Sequence, residues 1–201
     1  MEQGAFDFEA AAARVLADLG VSSDQPTPPL ELATRLLGAG SVKLVPATAL
    51  PGVGAIARVR DRWLVFLRED APLPAKRFVL CHELAHKLLG AAATEVECDA
   101  LAAALLVPRA ALMHAVKEDG ERLRLLAKRF GASESCIALR IGEVTERPLA
   151  LVAPRTVRTR GSGYTWPPFD QLRDLATKSH IPGLKKVRLT DDSARQMLRP
   201  A

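Results

Sequence analysis

Two histidines four residues apart, with a glutamate beside the first, give the chain its most specific chemistry: His82-Glu83-Leu84-Ala85-His86. On a helix, residues four apart lie on one face. His82 and His86 can therefore aim both imidazoles at one point, as the first two ligands of a tetrahedral Zn²⁺ do. Glu83, one residue along, is placed to serve as a general base toward water at that site. Histidines buried for structural reasons alone would be costly here, because two imidazoles and a carboxylate in an apolar run need partners. The spacing points to a zinc hydrolase.

A catalytic zinc normally takes three protein ligands. The segment from Thr94 to Pro108 offers Glu95, Glu97 and Asp99, and its alanine-rich face allows close approach to the first helix. Glu95 and Asp99 share a helix face, so one can ligate while the other orients a ligand histidine. With Cys98, Leu101, Ala102 and Leu105 turned to the core, Glu95 lies nearer the packed face than Glu97. Glu95 is the expected third ligand, Glu97 the alternative, and Asp99 the partner of a histidine. For each acid singly, a solvated N-terminal turn favoured by the helix dipole remains the plainer reading.

The elements that must position these residues are legible in outline. Phe8 to Leu19 and Leu30 to Leu37 read as helices, each followed by glycine. Val42–Val45, Gly54–Val59 and Trp63–Leu67 are short β-rich segments, the last two forming a hairpin through Arg60-Asp61-Arg62 with Trp63 and Phe66 in its core. Pro72 and Pro74 precede the helix carrying the motif, and Gly90 closes it. Further helices are expected near 94–107, 109–117, 121–130 and 133–144, then strands near 149–152 and 187–189 and a short helix at 170–179. The expected fold is α+β, a compact zincin-like unit with a small antiparallel sheet, spanning 1–147, followed by a C-terminal extension over 148–201.

Arg77-Phe-Val-Leu-Cys-His-Glu-Leu-Ala-His, followed by Glu95-Val-Glu-Cys-Asp-Ala-Leu-Ala-Ala-Ala-Leu-Leu-Val-Pro, resembles the ImmA/IrrE metallopeptidase family, over roughly residues 50 to 145. That family shows R-F-x-x-x-H-E-x-x-H and then E-x-E-A-N/D-x-F-A-x-x-L-L-M-P. Cys98 stands where Ala is usual, Leu101 for Phe and Val107 for Met, all apolar swaps on a packing face. The resemblance implies a gluzincin-like zinc peptidase of the cytoplasm. Its implied substrate is a helix-turn-helix repressor, whose cleavage relieves repression of phage, mobile-element or stress genes.

Ala127-Lys-Arg-Phe-Gly131 and the residues after it fit helix-turn-helix spacing within about 121–144, with Arg122, Arg124, Lys128, Arg129 and Arg140 around them. This supports a rival reading: a non-proteolytic zinc-containing regulator, or a module binding DNA or a repressor, on a protease scaffold. The helix that would meet base edges begins Ala132-Ser-Glu-Ser-Cys, however, with no Arg, Lys, Asn or Gln, so any nucleic-acid contact is expected to be weak. The net charge of +5 is an ordinary solvated surface. The N-terminal residues lack a basic, then apolar, signal pattern, no apolar run is long enough for a bilayer, and three scattered cysteines suit a reducing compartment. An extended substrate is expected to add to the sheet edge near Gly54–Val59 or Trp63–Leu67. No residue stands out as an oxyanion stabiliser, and neither His114 nor Tyr164 is assigned that role.

Overall fold

The computed structural model describes residues 6–145 and the strands Leu149–Ala153, Thr156–Arg160 and Lys185–Val187. The chain divides into two compact units, Met1–Cys136 and Ile137–Ala201. The fold is α+β, as the sequence leads one to expect.

The first unit opens with α1 (Phe8–Asp18), capped by Asp7, whose carboxylate accepts from the Glu9 and Ala10 N–H groups at 3.0 Å each. Then come α2 (Pro29–Leu37), β1 (Val42–Val45), a 3₁₀ turn, β2 (Gly54–Val59) and β3 (Arg62–Arg68). Arg60, at φ 56°, takes the left-handed conformation that a two-residue hairpin turn asks of its first central residue. The sheet order is β1-β3-β2, with β2 antiparallel to β3 and β1 parallel to it. The sheet is thus mixed, because the link from β1 to β2 carries the chain past the site that β3 later fills. The expected hairpin is present, but its core differs in detail. Trp63 and Phe66 are an odd number of positions apart and lie on opposite faces. Val65 and Leu67 are the buried residues, while Trp63 is half-buried under Lys87, whose Nζ lies 5.4 Å from the ring centre.

The helix α3 (Leu73–Leu89) carries the histidine motif and ends at Gly90, which the positive φ of 85° suits. It packs along α4 (Glu95–Leu106). Leu80, Cys81, Leu84 and Ala85 of α3 meet a helix that buries Cys98, Leu101, Ala102, Ala104, Leu105 and Leu106. Each fully buried leucine contributes about 1.5–3 kcal/mol relative to exposure. Next, α5 (Arg109–Asp119) and α6 (Leu123–Phe130) complete the helical layer, and Gly131 leads into α7 (Glu134–Thr145), which runs across the division into the second unit. Arg77, in the second turn of α3, donates from Nη2 to the Thr27 and Phe130 carbonyls at 3.0 and 3.2 Å, tying three segments together. Gly131 sits against that guanidinium: a Cβ there would lie 2.6 Å from Arg77 Nε.

Among the described residues, the second unit contains β4 (Leu149–Ala153), β5 (Thr156–Arg160) and β6 (Lys185–Val187), ordered β5-β4-β6 with both pairings antiparallel. The helix expected at 170–179 lies outside the described residues. No described helix is long and apolar enough to cross a membrane.

Gly54 sets how closely β2 approaches α3. A Cβ there would lie 2.4 Å from Val79 Cγ1 and 2.9 Å from Leu67 Cδ2. Gly54→Ala is expected to cost about 1–3 kcal/mol through overpacking. For a chain of this size that lowers Tm by roughly 2–4 °C per kcal/mol in a thermal melt; an unchanged Tm would contradict the close approach.

Candidate metal centre

The turn spacing of α3 places His82 and His86 one above the other, with their Nε2 atoms 3.0 Å apart and the rings edge to face. From the first turn of α4, Glu95 brings Oε2 to 3.2 Å from His82 Nε2 and Oε1 to 3.5 Å from His86 Nε2. A tetrahedral site with bonds of about 2.0–2.1 Å separates its ligand atoms by roughly 3.3 Å. The two histidine nitrogens and the two Glu95 oxygens approach that spacing, and His82, His86 and Glu95 form a group able to hold a metal.

Proton bookkeeping points the same way. His82 Nδ1 lies 3.0 Å from Asp99 Oδ1. An ionised carboxylate only accepts, so His82 carries its proton on Nδ1 and, when neutral, turns a lone pair outward from Nε2. That lone pair faces the Glu95 carboxylate and the second histidine. An all-acceptor corner of this kind is stabilised by a cation.

The acidic residues of α4 divide their work by position. Glu97 closes a capping box: the Thr94 N–H and hydroxyl reach Glu97 Oε2 at 2.7 and 2.8 Å, while the Glu97 N–H reaches Thr94 Oγ1 at 3.3 Å. These hydrogen bonds hold the Glu97 carboxyl below its ordinary pKa and keep it at the helix start, away from the histidines. Asp99 stands behind His82. Cys98, which the sequence suggests is only core, is buried but also places Sγ 3.3 Å from His86 Nδ1. The signal for this was available: positions 95, 98 and 99 share one face of a helix.

Glu83 is buried and lines the cleft whose wall is formed by β2. Burial raises its pKa above the ordinary carboxylate value, opposed by the nearby His82 and His86 and by the Ile56 backbone N–H. The β2–β3 register explains why that N–H is available. Val65 donates to Ser41 on the β1 side and Arg68 to Val53 on the β2 side. By alternation, Ala55, Ala57 and Val59 bond to β3, whereas Gly54, Ile56 and Arg58 turn their backbone groups to the open edge. Val53, Gly54, Ala55, Ile56, Phe78 and Val79 line a cleft that opens on the two histidines, Glu83, Glu95 and Asp99.

Other residues that the sequence marks out lie elsewhere. Cys81 is fully buried and its thiol is pushed up to about 12 by burial, which makes it an unreactive core residue. His114 is exposed and pairs with Glu118 at 3.3 Å. Of the basic residues around the helix-turn-helix spacing, Arg129 pairs with Glu118 and Asp119 at 2.7 and 3.2 Å, Arg122 lies 3.9 Å from Asp119, and Arg140 is buried with Glu143. Arg124 and Lys128 are exposed. Tyr164 lies outside the described residues.

Residues 42–142 match the family model of Peptidase M78, described as the IrrE N-terminal-like domain. No curated protein matches the chain. Among solved structures, a Mycobacterium tuberculosis transcriptional regulator is similar at a TM-score of 0.54 and 16% identity, over 78% of this chain and 56% of that one. The chain thus spans little more than half the length of that regulator, and the likeness is one of fold.

Glu95→Gln is expected to lose the bound metal, whereas Glu97→Gln keeps the wild-type stoichiometry by elemental analysis. Thr94→Ala, which removes the cap alone, is expected to cost about 0.5–2 kcal/mol in denaturant unfolding. Metal loss in the Glu97 variant rather than the Glu95 variant would reverse the assignment.

Proposed function

The chain belongs to the Peptidase M78 family of IrrE N-terminal-like domains, and from that premise we propose that it is a zinc-dependent endopeptidase. The observation that carries the reading is the convergence of His82, His86 and Glu95 beside a buried Glu83. In this reading His82, His86 and Glu95 would hold the zinc, and the loaded site would supply Lewis acidity toward a water and a peptide carbonyl.

The rest is the work of the chain's own groups. Asp99 accepts a hydrogen bond from the His82 Nδ1–H and fixes that ring's tautomer and plane. Glu83 takes a proton from the attacking water on its carboxylate and delivers it to the leaving amine nitrogen. Burial suits it to this exchange by raising its proton affinity above that of a hydrated carboxylate. The Ile56 N–H anchors Glu83, and the remaining open groups of β2 at Gly54 and Arg58 offer an extended peptide a backbone ladder. The same edge supports a substrate that presents a flexible, unpaired segment rather than a folded helix.

The substrate class follows from the family resemblance: a helix-turn-helix transcriptional repressor, cleaved to relieve repression. The description of the structural neighbour as a transcriptional regulator is consistent with a regulatory setting. Arg140, buried with Glu143, and Arg129, paired with Glu118 and Asp119, are engaged within the fold, which counts against a DNA-binding role for this segment.

Glu83→Gln is expected to lower cleavage by about 10²–10⁴-fold, the usual contribution of a positioned acid–base group. It should leave about one zinc per chain, measured by elemental analysis beside a cleavage assay on candidate repressors. Undiminished cleavage in this variant would overturn the mechanism. Zinc retained by a wild-type protein that forms a stable complex with an uncleaved repressor would favour the non-proteolytic regulator.

A further inference from the structure

We infer that Cys98 is the positioning residue of His86, doing for that ring what Asp99 does for His82. This rests on the zinc reading of the site and extends it to a residue that supplies no ligand. All four ring nitrogens have neighbours: the two Nε2 atoms face Glu95, His82 Nδ1 faces Asp99 Oδ1 at 3.0 Å, and His86 Nδ1 faces Cys98 Sγ at 3.3 Å.

 A ligating histidine needs an acceptor for the proton on its other nitrogen, because that bond sets which nitrogen is free for the ion and holds the plane of the ring. His86 is 29% exposed as a side chain, yet its Nδ1 points inward to a fully buried thiol. The separation suits an N–H donating to sulfur, with Nε2 left toward Glu95 and His82.

Three positions on one face of α4 then divide the site between them: Glu95 meets both histidines, Cys98 backs His86 and Asp99 backs His82. The two histidines are unequally supported. Asp99 offers a carboxylate, whereas Cys98 offers a sulfur, a weak acceptor, so His86 is the more loosely directed of the two ligands. Cys98 is thereby a determinant of metal affinity rather than packing alone.

The test compares zinc affinity, by competition with a chromogenic chelator, in wild type, Cys98→Ala, Cys98→Ser and Cys81→Ala. Ring ¹⁵N spectra of the zinc-loaded proteins report the proton on His86 Nδ1. Cys98→Ala is expected to weaken zinc binding about tenfold, at the lower end of what loss of such a partner costs, and to lose the slowly exchanging Nδ1 proton. Cys98→Ser, which keeps an acceptor, recovers part of both. Cys81→Ala empties a similar core volume without removing a partner of either ring and keeps wild-type affinity. A folded Cys98→Ala protein with wild-type affinity and an unchanged Nδ1 signal would overturn the inference, as would an equal loss in Cys81→Ala. If Cys98→Ala does not fold, the serine variant decides: its Nδ1 resonance moves if sulfur is the acceptor, and a resonance that stays put overturns the assignment. Wild-type protein that binds no zinc would instead remove the zinc reading itself, and this inference with it.

Discussion

The site depends on how closely α4 lies against α3. Two imidazoles on one helix make half a metal site, and the other half must arrive from a neighbour within reach of a glutamate side chain. The buried alanines at 85 and 102, on the faces that carry the histidines and Glu95, thin the contact. Interaxial distance follows the size of the side chains at the contact. Once that distance is set, the helix period does the rest: Glu95, Cys98 and Asp99 follow one another along the same face and meet the two rings in turn. The capping box of Thr94 and Glu97 fixes where the first turn of α4 begins, and so where Glu95 projects.

The sheet supplies the opposite wall. Its central strand, β3, anchors β2 as an edge strand over α3, and the missing side chain of Gly54 lets the two come together. The edge strand then has two uses. One backbone N–H, from Ile56, meets Glu83. The others on the same edge stay open along the cleft. A carboxylate that is buried yet met by a strand N–H is well placed to exchange protons, because its environment neither leaves it fully hydrated nor isolates it.

Much of this was legible in the sequence, for identifiable reasons. Helix α3 announces itself by Pro74 at its start and Gly90 past its end, and its motif by a spacing that only a helix makes meaningful. Helix α4 is legible from Thr94 and Pro108. The direction of β1 was not, because strand order depends on which gap a later strand fills, and no local pattern records that. Trp63 and Phe66 suggest a shared core through their size, but strand alternation separates them, and the smaller Val65 and Leu67 take the buried places. The division between Glu95 and Glu97 needed the cap geometry, since both acids suit a first helical turn. Cys98 was overlooked because an apolar-looking residue on a packing face is ordinarily core. It is core here too, and what distinguishes it is that the neighbouring atom happens to be a ring nitrogen.

The most direct measurement is zinc-edge X-ray absorption on the zinc-loaded protein, which counts the atoms around the ion by type and distance. The account predicts two imidazole nitrogens at about 2.0–2.1 Å and carboxylate or water oxygen at about 2.0–2.2 Å, with no sulfur in the shell. A sulfur at about 2.3 Å would make Cys98 a ligand and contradict the three-residue site. A shell of oxygens without imidazole would contradict the metal centre altogether.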